Sequence, residues 1–112
     1  MEDVTRVSLL IDYYGKLLPE RQLEAVRLYN EENFSLSEIA EHFGISRQGV
    51  HDAIRKGEEA LTDYEEKLGF IKLTESYGKA VTDLKIIAMK LKEKGYEKLF
   101  KDMEKAIETL DK

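Results

Sequence analysis

A chain of 112 residues with 42% hydrophobic and 37% charged residues has room for one small core of amphipathic helices, and the lack of cysteine excludes disulfides, thiolate zinc sites and cysteine nucleophiles. Its formal net charge of -5 argues against general affinity for nucleic acid, because phosphate neutralisation and counterion release supply most sequence-independent binding. Leu84 to Leu91, broken by Lys85 and Lys90, falls far short of the roughly 20 apolar residues of a membrane span, and Met1-Glu2-Asp3 lacks the cationic and apolar regions of a signal peptide, so a cytoplasmic protein without membrane insertion is expected.

In chain order, Val4, Val7, Leu10, Ile11 and Tyr14 recur at helical spacing before Gly15 and predict a helix that packs on the core or on a second copy of itself. Arg6 and Lys16 are its only cations, and both read as solvent-facing. Pro19 suits a helix start because its ring presets φ and its missing amide proton needs no intrahelical partner. Leu23, Ala25, Val26 and Leu28, with Tyr14 or Tyr29 nearby, give that second helix its apolar side, and Asn30-Glu31-Glu32-Asn33 breaks the periodicity.

Ser35 and Glu38 form a Ser-x-x-Glu capping box at the head of a short helix whose inward side carries Leu36, Ile39, Ala40 and Phe43. Gly44 then supplies the left-handed exit that is inexpensive only without a Cβ. Ile45 plugs the space between this helix and the next, Ser46 caps the latter, and Val50, Ala53, Ile54, Gly57 and Leu61 turn inward. The segment from Ser35 to Lys56 therefore reads as a helix-turn-helix.

The face left free carries Ser46, Arg47, Gln48, His51, Asp52, Arg55 and Lys56 within the first three turns, where a recognition helix meets bases and phosphates in the major groove. Arg47 and Gln48 are the expected base readers: arginine donates twice to guanine and glutamine pairs both ways with adenine, each good pair discriminating by about 1 to 3 kcal/mol. His51 and Asp52 add polar contacts, while Val50 packs. Charge constrains the mode of binding. Pro19 to Leu68 holds 6 cations against 12 anions, whereas Gly44 to Lys56 holds three against one, so a cationic tip projects from an acidic body. Binding to double-stranded DNA is then expected to be weak or confined to a specific sequence.

Enzyme chemistry finds no footing. His42 and His51 stand nine residues apart, Ser46 has no base at useful spacing, and no Gly-rich phosphate loop or Asp-x-Asp metal loop occurs, so no catalytic residue, metal or cofactor is expected.

The recognition helix reads as running on through Leu61, Tyr64, Leu68 and Ile71, a long stem that seeks a partner. Thr74 to Gly78 reads as a polar interruption, after which Val81, Leu84, Ala88 and Leu91 resume the spacing, and Leu99, Met103, Ala106 and Leu110 form the last apolar set. The many further apolar residues of this tail, among them Ile86, Ile87 and Met89, predict a homodimer through stem and tail. The expected organisation is an all-α helix-turn-helix domain over residues 1–68 and a helical extension, the expected seat of dimerisation, over 69–112.

Two resemblances follow from the motifs. Leu18-Pro19-Glu20-Arg21-Gln22, Ser35-Leu36-Ser37-Glu38-Ile39-Ala40-Glu41 and Gly44-Ile45-Ser46-Arg47-Gln48-Gly49-Val50 resemble the DNA-binding region 4 of bacterial sigma factors over about forty residues. With Thr5-Arg6, Asp12-Tyr13-Tyr14, Phe34-Ser35-Leu36 and Asp63-Tyr64-Glu65-Glu66-Lys67-Leu68 included, the chain is similar to the YlxM family of small bacterial proteins. That resemblance implies a cytoplasmic, sigma region 4-like helix-turn-helix protein of Gram-positive bacteria, with a regulatory role in the signal recognition particle pathway beside whose genes it is encoded. It carries over Ser46, Arg47, Gln48, Val50 and Asp52 as turn and recognition positions. Two functions remain in view: a sequence-specific DNA-binding regulator, or a helical adaptor that holds a protein or ribonucleoprotein partner.

Overall fold

The computed structural model describes residues 4–110; Met1-Glu2-Asp3, read above against a signal peptide, lies outside them. The described residues form six helices and one 3-10 turn: α1 (Val4–Tyr14), the turn (Gly15–Leu17), α2 (Glu20–Asn30), α3 (Leu36–Phe43), α4 (Arg47–Leu68), α5 (Phe70–Glu93) and α6 (Glu97–Leu110). No strand occurs among them, so the fold is all-α. The chain divides into two compact units, one ending at Ile71 and one starting at Lys72.

In the first unit the polar and apolar phases of the sequence decide the packing. Pro19 takes the N-cap position of α2 with φ -53°, and its carbonyl accepts the Leu23 amide at 2.9 Å. Helix α4 is the spine. Its Val50 and Ile54 close one cluster with Ala25 of α2 and Ile39 of α3, and its Leu61 closes another with Val26 and with Val7, Leu10 and Tyr14 of α1. Helix α1 thus packs on the core of its own chain.

Gly57 is where α2 and α4 come closest: a Cβ there would stand 2.6 Å from Val26 Cγ2, and Val26 is wholly buried. Only hydrogen fits. The next residue along α4 is one of the anions of the acidic body. Glu58 is nonetheless only 4% exposed and accepts a hydrogen bond from Asn30 Nδ2 at 3.0 Å. Asn30, read as the start of a break, ends α2 buried, and the same amide also donates to the Val26 carbonyl at 3.1 Å.

Helix α4 does not run on to Ile71 as its apolar spacing suggested. Gly69 adopts φ +64° and its amide donates to the Glu65 carbonyl at 2.8 Å, which ends the helix at Leu68. The start of α5 is then capped by side chains from elsewhere. The Phe70 amide donates to the Tyr14 hydroxyl at 3.1 Å, and the Ile71 amide to Glu65 Oε1 at 3.0 Å. The Tyr14 hydroxyl in turn donates to Glu65 Oε1 at 2.5 Å. Burial raises its pKa above 10.0, and the Glu65 hydrogen bond adds to the effect, so the hydroxyl keeps the proton this network needs. Ile71 completes the core and is buried.

The second unit is a helical hairpin. Gly95, at φ +86°, lets the Tyr96 amide reach the Leu91 carbonyl at 3.0 Å and closes α5. Val81 and Ala88 of α5 and Ile107 of α6 are its buried core, with Leu84, Phe100 and Met103 packed around them. Two expectations are corrected. Thr74 to Gly78 lies inside a continuous α5, because a single glycine in a helix costs only about 1 kcal/mol relative to alanine. And α6 turns Phe100, Met103 and Ile107 inward rather than the Leu99, Met103, Ala106, Leu110 set; Leu99 is exposed. No described helix is long and apolar enough to cross a membrane.

Candidate nucleic-acid interface

The turn between α3 and α4 is held at both ends by the groups the sequence offers for it. At the head of α3 the Glu38 amide donates to Ser35 Oγ at 3.1 Å while the Ser35 amide donates to Glu38 Oε1 at 3.0 Å. Those bonds from Ser35 hold the Glu38 carboxyl below its ordinary 4.5, the backbone amide contributing most. A lowered pKa in the folded state adds stability above the unfolded value, and that stability is lost as pH falls through the lowered one. The gap in thermal midpoint between wild type and Glu38→Gln is therefore expected to narrow as pH falls from about 6 to about 3. A gap independent of pH would contradict the ionised cap.

At the foot of α3, Gly44 sits at φ 67° and ψ 35°. The Ile45 amide reaches the Ala40 carbonyl at 3.1 Å and the Gly44 amide the Glu41 carbonyl at 3.3 Å, the paired bonds of a Schellman ending. Ile45 then enters the core beside Phe43. Ser46 caps α4 by accepting the Gly49 amide on its Oγ at 3.0 Å. The first turns of α4 are in this way fixed against α3 before any partner arrives.

The seven residues singled out above occupy those turns. Val50 and Ile54 are buried, which turns Arg47, Gln48, Arg55 and Lys56 outward, all exposed; His51 and Asp52 are half-buried. Ser46 is exposed at the cap. Gln48 Nε2 donates to Asp52 Oδ1 at 3.1 Å, one turn along. That bond uses one of the two amide protons and leaves the second, with Oε1, for a two-way pair such as adenine offers. His51 Nδ1 lies 3.9 Å from Asp52 Oδ1, beyond hydrogen-bond reach, and is buried without a partner. Arg55 is held by Glu59 at 3.0 Å, with both side chains largely solvated. An exposed pair of this kind is worth about 0 to 1 kcal/mol, so a phosphate can compete for the guanidinium.

Arg47, Gln48 and His51 also surround an open recess of about 240 Å³ whose apolar wall is Leu36, the first residue of α3. The sequence reading assigned Leu36 to packing alone. Its place at the mouth of the turn, one residue after the cap, is the signal that it borders the outer face as well. Among the described residues no group of His, Asp or Glu is arranged to hold a metal ion.

A family model described as "Putative helix-turn-helix protein, YlxM / p13 like" (UPF0122) matches residues 1–108. The chain belongs to this family. The match takes in the whole helix-turn-helix and nearly all of the C-terminal hairpin. A UPF0122 protein of Symbiobacterium thermophilum is 55% identical over 71 residues, covering 63% of this chain and 66% of that protein. One from Acetivibrio thermocellus is 47% identical over 88 residues, 78% of this chain and 75% of that protein. A third, from Bacillus velezensis, is 40% identical over 111 residues and spans 99% of this chain and 98% of that protein. The YlxM-like resemblance read from the motifs is thereby shown, and with it a helix-turn-helix protein of all-α fold.

Proposed function

We propose that this protein is a DNA-binding regulator that places the first turns of α4 in the major groove and acts as a homodimer. The observation that carries the reading is the split of those turns. Val50 and Ile54 are locked into the core while Arg47 and Gln48, one and two residues past the Ser46 cap, stand exposed on a helix already fixed against α3. Preorganised readers of this kind need little reordering on binding, which keeps the cost of association low. Arg47 suits guanine and Gln48 adenine; Ser46, Arg55 and Lys56 lie where phosphates pass; His51 and Asp52 complete the polar face.

The acidic body sets the affinity. With few phosphate contacts available, sequence-independent binding is feeble and specific binding depends on base contacts. Two copies offer two recognition helices, and a palindrome then sums two modest half-site affinities.

A second reading is favoured by the same acid. Arg55 is paired with Glu59, and Glu65 and Glu66 follow within the same helix, an arrangement that suits a protein or ribonucleoprotein partner better than bare duplex. Under it the chain is an adaptor; a link to the signal recognition particle pathway goes with the regulator and is open to the adaptor as well.

The test is retention on genomic fragments at low salt. Wild type is expected to retain a subset of fragments, and Arg47→Ala with Gln48→Ala to lose at least about thirtyfold in affinity, the sum of two base-pair contacts. No retention by wild type across the library would favour the adaptor.

A further inference from the structure

Helix α5 carries exposed apolar residues on both sides of the stripe that α6 covers. Val81 and Ala88 are buried against α6, while Ile86, Ile87 and Met89, on its other sides at 100° per residue, are 50%, 49% and 58% exposed. Large apolar side chains left open in this way mark a surface that is covered by a partner. Within its unit only α6 covers it. The unit is also small. At about 40 residues, folded chains bury too little surface to stand without a disulfide, a metal or oligomerisation. The chain has no cysteine, and the described residues hold no metal-binding group.

The surface is shaped for a copy of itself. A groove of about 560 Å³ between α5 and α6 has Ala88, Phe100 and Ile107 as its apolar floor, Lys85 on one rim and Glu104 with Glu108 on the other. Beside it Ile86 and Met89 stand exposed along α5 as a ridge, with two cations, Lys85 and Lys90, against one anion, Glu93, and with Thr82 around it. Lys85 and Met89 border both, so ridge and groove adjoin, as a twofold interface requires.

Resting on the homodimer of the reading above, we propose that its seam is this surface: the Ile86–Met89 ridge of each copy fills the α5–α6 groove of the other, with the two α5 helices antiparallel. The crossing completes a four-helix bundle. It lays the lysine-flanked ridge of one copy along the Glu104–Glu108 rim of the second, so that the cationic side of one element meets the anionic side of the other. Solvated pairs of this sort add little energy but choose the register. The energy comes from Met89, Ile86 and the groove floor.

Sedimentation equilibrium on the full chain without DNA tests this. Wild type is expected to be dimeric at micromolar concentration, and Met89→Glu to raise the dimer dissociation constant about tenfold or more while its helical circular dichroism is unchanged. Lys85→Glu with Lys90→Glu, and separately Glu104→Lys with Glu108→Lys, are each expected to weaken the dimer. Mixed one to one, the two variants should pair with each other at close to wild-type strength. A monomeric wild type would overturn both the seam and the homodimer. A dimer that Met89→Glu leaves intact, or charge variants that gain nothing on mixing, would place the dimer on another face. Since no DNA enters the measurement, none of these outcomes depends on whether α4 reads bases.

Discussion

Gly57→Leu is expected to unfold the first unit at temperatures where wild type is folded, and Gly57→Ala to lower its thermal midpoint by several degrees. In a free helix alanine would gain about 1 kcal/mol over glycine. Here the added Cβ would stand 2.6 Å from Val26 Cγ2, and Gln22 Cγ lies 3.4 Å from the same point. Val26 is wholly buried between α1, α2 and α4 and cannot swing aside without opening that core. Overpacking a tight interior costs about 1 to 3 kcal/mol for small additions and more for a whole isobutyl group, so the packing loss outweighs the propensity gain. For a unit of this size each kcal/mol moves the midpoint by about 4 to 8 °C. Gly78→Ala serves as the control. It sits inside α5 with no atom within 4 Å of a new Cβ, and should raise stability by up to about 1 kcal/mol. Melting curves followed by circular dichroism would read both, and a stabilised Gly57→Ala would contradict the close approach of α2 and α4.

Asn30→Leu is expected to cost about 2 to 3 kcal/mol, and Glu58→Met on top of it to recover most of that loss. Glu58 is nearly inaccessible, and Asn30 Nδ2 is the donor that meets its carboxylate inside the core. Deleting the donor strands a buried acceptor at its full desolvation cost, whereas an apolar pair of similar volume leaves nothing unsatisfied. A double-mutant cycle from urea denaturation isolates the coupling. Zero coupling, or an Asn30→Leu variant as stable as wild type, would show that solvent reaches the carboxylate.

The contrast between these two positions shows what can be read from a sequence of this kind. The helix-turn-helix was legible because it is built from local chemistry: Ser35 with Glu38, Gly44 at positive φ, and Ser46 over Gly49 each act within four residues of chain. The outward face followed once Val50 and Ile54 set the phase. Asn30 and Glu58 escaped because they were sorted by polarity rather than by phase. Glu58 lies one turn past Ile54 and three residues before Leu61, on the buried stripe, and only a partner 28 positions away makes that tolerable. The helix end at Gly69 escaped because the three-and-four spacing from Leu61 to Ile71 looks the same whether one helix continues or a second begins. In α6 two apolar stripes one residue apart compete, and the larger Phe100 and Ile107 side chains win the buried side. The recess at Leu36 depends on how α3 and α4 meet, which no local pattern records.

That α4 reads bases through Arg47 and Gln48 is the centre of the account, and selection from random-sequence duplex DNA at low salt tests it most directly. The account predicts enrichment of a palindrome whose half-sites are centred about 10 base pairs apart, with guanine and adenine dominant in each half and the enrichment lost in Arg47→Ala/Gln48→Ala. A folded wild-type protein that enriches no sequence over the starting pool would contradict it.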